Sequence, residues 1–213
     1  MAAIDDFLPD IMADVESCPE FTVRRAVVQA AIKFCEDTQA WMEWLDPILV
    51  FDNKAVYELD LPTGADLVMV REVWAPGVEL TAKTVPEISR IFAAWQTATG
   101  APRFYNMVTW GELRLYPIPL NAGADLALTV RVALKPKATA TTIPDAIASR
   151  WRRAVLERAK ADLMAMPSKA WSSAEQAGYH ETLYVTERDK ASADRLNDGV
   201  SGTGTVYSVR FGR

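Results

Sequence analysis

Apolar residues recur at helical spacing toward both ends of this chain and alternate in its middle. Ile4, Phe7, Leu8, Ile11 and Val15 follow the i, i+3, i+4, i+7 template of an amphipathic helix. Asp5, Asp6, Asp10 and Asp14 take the other face, and acidic residues in a first turn suit the positive end of the helix dipole. The four carboxylates could also be read as a metal cluster, but helical spacing already accounts for them as a solvated face. Ser17-Cys18-Pro19 breaks the chain. A second helix is predicted from Glu20 or Phe21 to about Thr38, with Val23, Val27, Ala30, Ala31 and Phe34 as its stripe. Trp41 and Trp44 follow, and Asp46-Pro47 ends any helical continuation, because the residue before proline is pushed out of the α region.

From Ile48 the period shortens. Ile48 to Phe51, Ala55 to Leu59, Leu67 to Ala75 and Val78 to Thr81 read as strands, with turns at Asp52-Asn53, Pro62-Thr63-Gly64 and Ala75-Pro76-Gly77-Val78. A helix over Thr84 to Thr99 interrupts them: Thr84 can cap it, Pro86 fits its first turn, Ile88, Ile91, Phe92 and Trp95 make one face, and Gly100 stops it. Arg103 to Thr109, the reversal Trp110-Gly111-Glu112 and Leu113 to Tyr116 form a β-hairpin, which Pro117 and Pro119 terminate. Asn121 to Ala124 turns the chain. Leu126 to Leu134 alternates as a strand, and Leu113 to Tyr116 is its expected antiparallel partner.

After a polar link from Pro136 to Thr142, Pro144 opens a long helix to about Met164, with Ile147, Trp151, Val155, Ala159 and Leu163 as its stripe. Pro167 ends it, and a last helix runs from about Ser172 to Leu196. Asn197 to Gly204 has the glycine-rich composition of a flexible linker, and Thr205 to Phe211 alternates like a lone strand. Runs of strands bounded by runs of helices argue an α+β fold. The expected organisation is a helical bundle built from both ends of the chain, residues 1–46 and 136–197. Between them lies an inserted antiparallel β region, residues 47–135, with one helix at about 85–99. An extended C-terminal arm follows at 198–213.

Composition narrows the possible functions. Half of the 213 residues are hydrophobic, enough for a sizeable core, and seven tryptophans form a large share of it. A net charge of -5 argues against a broad grip on nucleic acid, which relies on Lys and Arg. Arg150, Arg152, Arg153, Arg158 and Lys160 make the long helix the most basic segment. It reads either as a solvated helix face or as a surface for an acidic partner or DNA. Cys18 and Cys35 near opposite ends of one helix would lie roughly 25 Å apart, too far for a bridge. Neither a signal peptide nor an apolar run of about 18 residues is present, so neither secretion nor a membrane span is expected.

Candidate chemistry is sparse. The single histidine, His180, lies on a charged helix, and Glu181 beside it does not share its face. One His and two separated Cys do not make a zinc site. Gly199 to Gly204 is superficially like a phosphate loop but lacks the lysine, the leading strand and the following helix. The residues therefore favour neither an enzyme nor a cofactor.

The order of several motifs carries a resemblance instead. Gly100-Ala-Pro-Arg-Phe-Tyr runs into a strand and closes with Leu113-Arg-Leu-Tyr-Pro-Ile-Pro119. Phe7-Leu8-Pro9, Cys18-Pro19 and the helix through Ala26, Ala30 and Phe34 to Trp41 precede it. Ile143-Pro144 and a helix ending near Pro167-Ser168-Lys169-Ala170-Trp171 follow. Together these resemble the adaptor, or head–tail connector, proteins of tailed bacteriophages. The resemblance implies a virion structural protein, assembled in the host cytoplasm and placed at the head–tail interface. It further implies a homo-oligomeric ring, usually a dodecamer, between the portal protein and a downstream tail or nozzle protein. Such a ring lines a channel through which DNA passes during genome ejection without specific binding. The competing reading is a small non-viral regulatory or ligand-binding α+β domain.

Three candidate sites follow. Arg150, Arg152, Arg153 and Arg158 would face acidic residues of the first and last helices across a subunit boundary. Trp110 at the hairpin tip either contacts the tail protein or folds back on the sheet. Val206, Tyr207, Val209 and Phe211 form a portal-docking arm, as the resemblance implies, or belong to a tail without structure.

Overall fold

The computed structural model describes residues 1–120 and 126–196. The expected C-terminal strand, Thr205 to Phe211, and the turn Asn121 to Ala124 lie outside the described residues. The chain begins with β1 (Ala2–Ala3), a 3-10 turn (Ile4–Phe7) and α1 (Leu8–Met12). Ile4, Phe7, Leu8, Ile11 and Val15 are all buried, and the four aspartates are exposed, as the periodicity predicts. A short 3-10 turn and a five-residue helix replace the single helix expected here.

The bundle forms around α2 (Glu20–Thr38), which packs against α1 and against the C-terminal helices introduced below. Pro19 starts it in extended conformation, and Gln39 ends it at φ 54° while its N–H closes the last turn on the Cys35 carbonyl at 2.8 Å. Arg24–Glu20 and Lys33–Asp37 bridge successive turns of its outer face at 2.6 and 2.7 Å. Val23, Val27, Ala30, Ala31 and Phe34 are fully buried on the other.

The chain then enters the sheet region: β2 (Met42–Trp44), β3 (Ile48–Leu49), β4 (Val56–Glu58), β5 (Ala65–Ala75), β6 (Val78–Ala82), α3 (Val85–Ile91), β7 (Thr99–Gly100), β8 (Phe104–Thr109), β9 (Glu112–Tyr116), β10 (Ile118–Pro119) and β11 (Ala127–Pro136). The eight-stranded sheet runs β2-β11-β5-β6-β8-β9-β4, with β3 also on β11. All its pairs are antiparallel except β6 with β8.

Three expectations are corrected here. β11 pairs with β5, with β2 and β3 on its other side, and not with Leu113 to Tyr116. That segment, β9, already has β8 on one edge and β4 on the other, so it has no edge to offer. Trp41 and Trp44 belong to an extended segment: Trp41 is buried, while Trp44 is half exposed on β2. The inserted helix stops at Ile91, because Phe92 turns extended to set its ring edge-on to Phe104 and Trp95 packs on Tyr116.

β12 (Thr142–Ile143) pairs with β1, tying the chain start to the return into the bundle. There α4 (Asp145–Arg150) and α5 (Arg152–Met164) divide the expected long helix at Trp151, whose φ and ψ of -117° and 19° are not helical. Its ring meets Phe34 with centroids 6.0 Å apart. The predicted stripe of Ile147, Trp151, Val155, Ala159 and Leu163 is buried throughout. α6 (Ala174–Leu196) lays His180, Tyr184 and Ala191 on the bundle. The fold is α+β: N-terminal helices pack with C-terminal ones, α2 meets β11, and the mixed sheet lies between them in sequence.

Candidate functional site

The sheet contains a lane that one strand fills only half way. β6 lies between β5 and β8. Its Val78, Glu79 and Leu80 pair with Ala75, Trp74 and Val73, and its Thr81 and Ala82 pair with Phe104 and Tyr105. The Lys83 N–H makes the last bond across, to the Tyr105 carbonyl at 2.9 Å. The chain then turns out of the sheet. The Glu87 carboxylate accepts from the Thr84 N–H and hydroxyl, each at 2.8 Å, which starts α3 and holds the Glu87 pKa below its ordinary value.

Past that point β5 and β8 continue side by side with nothing between them among the described residues. The result is an open groove of about 920 Å³, lined by Leu67 to Val70 on one flank, Tyr105 to Trp110 on the other and Ala82 to Glu87 where the chain leaves. Its surface is mostly apolar, with Met69 and Val108 exposed. Lys83 and Glu87, its charged lining residues, pair with each other at 3.6 Å.

Trp110 stands at the mouth of the groove, on the turn between β8 and β9. Gly111 follows at φ 94°, a conformation that side chains resist, and the Thr109 hydroxyl donates to Glu112 at 2.9 Å across the reversal. The indole is 78% exposed, so it does not fold back on the sheet.

The α4–α5 arginines are engaged within their own chain. Arg150 reaches Asp194 at 2.7 Å. Arg152 bonds Asp10 at 2.7 Å and lies over the Phe7 ring, 4.3 Å from its centroid. Arg158 bonds Asp162 at 2.6 Å and Glu181 at 2.7 Å. Burial works against the Arg158 charge, but these two carboxylates outweigh it and raise its pKa above the ordinary value. The first and last helices do supply the acidic partners, but to the same chain. Among the described residues Arg153 has one long pair, to Glu157 at 3.7 Å, and a side chain 61% exposed.

Two arrangements were not visible in the sequence. His180 is buried with Nδ1 2.6 Å from Glu157 Oε2, a pair that ties α6 to α5 from 23 positions apart. On the sheet, Arg131 bonds Glu72 at 2.9 Å and covers Trp44, while the Trp74 indole donates to Glu72 at 3.1 Å. Cross-strand neighbours of this kind become legible only once register is known.

Little here suits catalysis. Cys18 and Cys35 are free and buried, and burial, reinforced by Glu36, pushes the Cys35 thiol up to about 12. Among the described residues no group of three metal-ligating side chains occurs, and no helix is long and apolar enough to cross a membrane.

Residues 1–206 match the family model described as SU10 adaptor protein. The chain belongs to the SU10 adaptor protein family. It is thus a phage head–tail adaptor, a virion structural protein of a typically non-enzymatic family whose expected neighbours are portal and tail proteins. No curated protein matches it. Family membership also removes the competing reading of a non-viral regulatory domain.

Proposed function

We propose that this adaptor forms a homo-oligomeric ring, a dodecamer by resemblance, between the portal and the downstream tail or nozzle protein. DNA passes through the ring during ejection without specific binding. The observation that carries the reading is the family match over residues 1–206. The net charge of -5 is compatible with a channel along which DNA slides.

Within this reading Arg153 and, less freely, Arg150 remain available for a subunit boundary, since Arg152 and Arg158 are held more closely by their own chain. The exposed Trp44 and Trp74 with Arg131 add residue types enriched at interfaces. Trp110 is the tail contact. The arm bearing Val206, Tyr207, Val209 and Phe211 docks on an adjoining protein of the particle, which the resemblance implies to be the portal.

The test is co-sedimentation of the purified chain with portal assemblies, followed by electron microscopy. Rings seated on the portal are expected. A chain that stays in the supernatant and adds no density to the portal overturns the proposal.

A further inference from the structure

The groove between β5 and β8 has the backbone of a missing strand's two neighbours. Where β6 lies between them, the flanking strands stand two strand spacings apart, about 9–10 Å. Leu67 to Val70 have β11 on one side and Asn106 to Thr109 have β9. Their other edges face the groove, and no backbone bond crosses it past Lys83 among the described residues. Two opposed rows of N–H and C=O groups select one kind of occupant, an extended segment that bonds to both. β5 runs antiparallel to β6 and β8 runs parallel to it, so any strand in this lane is parallel to one flank and antiparallel to the other, as β6 itself is. The open stretch on each flank is about four residues, or roughly 13 Å.

The side chains narrow the occupant further. Val70 and Met107 pack against the core, while Met69 and Val108, next to them along their strands and so on the opposite face, are exposed. An inserted strand therefore meets apolar neighbours on both of its faces. The charged lining residues, Lys83 and Glu87, already pair with each other at 3.6 Å, so a charge brought into the groove would go without a partner. Trp110 belongs to the same lining and stands one residue beyond Thr109, 78% exposed. The open edges and the exposed indole thus form one continuous surface.

We propose that the groove receives an uncharged, apolar extended segment of the downstream tail or nozzle protein, about four residues of which complete the sheet as a strand between β5 and β8. This rests on the reading of Trp110 as the tail contact: a partner that covers the indole also lies over the mouth of the groove. Main-chain bonds to both flanks hold the segment, the apolar lining selects its side chains, and the indole covers its end. The C-terminal arm keeps the portal as its destination, so the ring's two neighbours are bound by different parts of the chain.

The experiment seats the full chain on portal assemblies, adds the purified tail or nozzle protein of the same particle, and follows amide hydrogen exchange. Exchange in 67–70 and 106–109 should slow at least tenfold when that protein binds, because edge amides gain strand partners. A photoreactive phenylalanine in place of Val108 should cross-link to an uncharged apolar stretch of the added protein. Met69→Asp with Val108→Asp, both at exposed positions, should weaken its binding at least tenfold while monomer melting and seating on the portal stay as in the native chain. Binding that slows exchange around Trp110 but not in 67–70 and 106–109 overturns the strand and leaves the tail contact standing. Cross-links from the groove to another copy of this chain, or to its own residues, assign the groove a different occupant and overturn the inference. Full binding by the double variant does the same. Binding that is indifferent to Trp110→Ala and slows exchange at neither place overturns the tail-contact reading, and this inference with it.

Discussion

The Tyr184 hydroxyl donates to Asp37 Oδ2 at 2.8 Å and so fastens the last helix to the second. Tyr184 is almost wholly buried, and the Lys33 ammonium holds the same Asp37 carboxylate in place at 2.7 Å. Burial, then the bond to Asp37 and its charge, raise the Tyr184 pKa above the tyrosine range. An unfolded chain gives up this proton near pH 10, while the fold still keeps it. The unfolded state then binds fewer protons, so the contribution is complete below pH ~10 and declines as pH rises above it. Tyr184→Phe should cost about 1–2 kcal/mol at neutral pH, a melting shift of roughly 2–4 °C per kcal/mol. Above pH ~10 the native protein should lose stability faster than the variant. Parallel melting curves up to pH 11 would contradict this account.

Arg152 and Arg153 are adjacent but should behave differently. Arg152 stacks on buried Phe7 and bonds Asp10, a pair exposed enough for water to screen it. Arg152→Ala should therefore cost only about 1 kcal/mol, measured by denaturant melts of the monomer. Arg153→Glu should leave the monomer within about 0.5 kcal/mol of the native value. If Arg153 serves the subunit boundary, the same change lowers ring yield, most at low salt. A destabilised Arg153→Glu monomer, or an unchanged ring yield, would count against that division.

Phe34 shows how much of the bundle could be read from spacing. It closes the stripe of α2, is fully buried and meets Trp151, the one residue of the later stripe at which the helix breaks. Both stripes were legible because helical periodicity is local. The Trp151 break was not, because no proline or glycine marks it in the sequence. Phe34→Ala should cost about 3–5 kcal/mol, seen as a lower denaturation midpoint with an unchanged slope. A loss below 1 kcal/mol would mean that the pocket collapses around the missing ring.

The sheet was less legible for a related reason. Alternation locates β5, β8, β9 and β11 but says nothing about partners, and β9, close in sequence, is not the partner of β11. The groove depends on β6 ending at Ala82 while its neighbours continue, a relation among three strands that no single window contains. Spacing shows the arginines as a cluster but not their partners, which lie on helices of the same chain and depend on how those helices pack. The hairpin and its tip were legible outright, since turn chemistry is local.

That tip provides the most direct functional test. Trp110 is 78% exposed beyond Gly111, whose φ of 94° turns the chain, so the indole contributes little to the fold. Trp110→Ala should change monomer stability by no more than about 0.5 kcal/mol. A buried tryptophan at an interface is a typical hot spot, and its loss costs at least about 2 kcal/mol, or roughly thirtyfold in affinity. The variant should therefore melt like the native protein, assemble with portal, and lose binding to the downstream tail or nozzle protein by about that factor in sedimentation assays. Gly111→Ala separates the side chain from its setting: it strains the turn by about 1–2 kcal/mol while keeping the indole. Attachment should fall further in Trp110→Ala than in Gly111→Ala although the latter is the less stable protein. The opposite order would assign the tip a purely structural role.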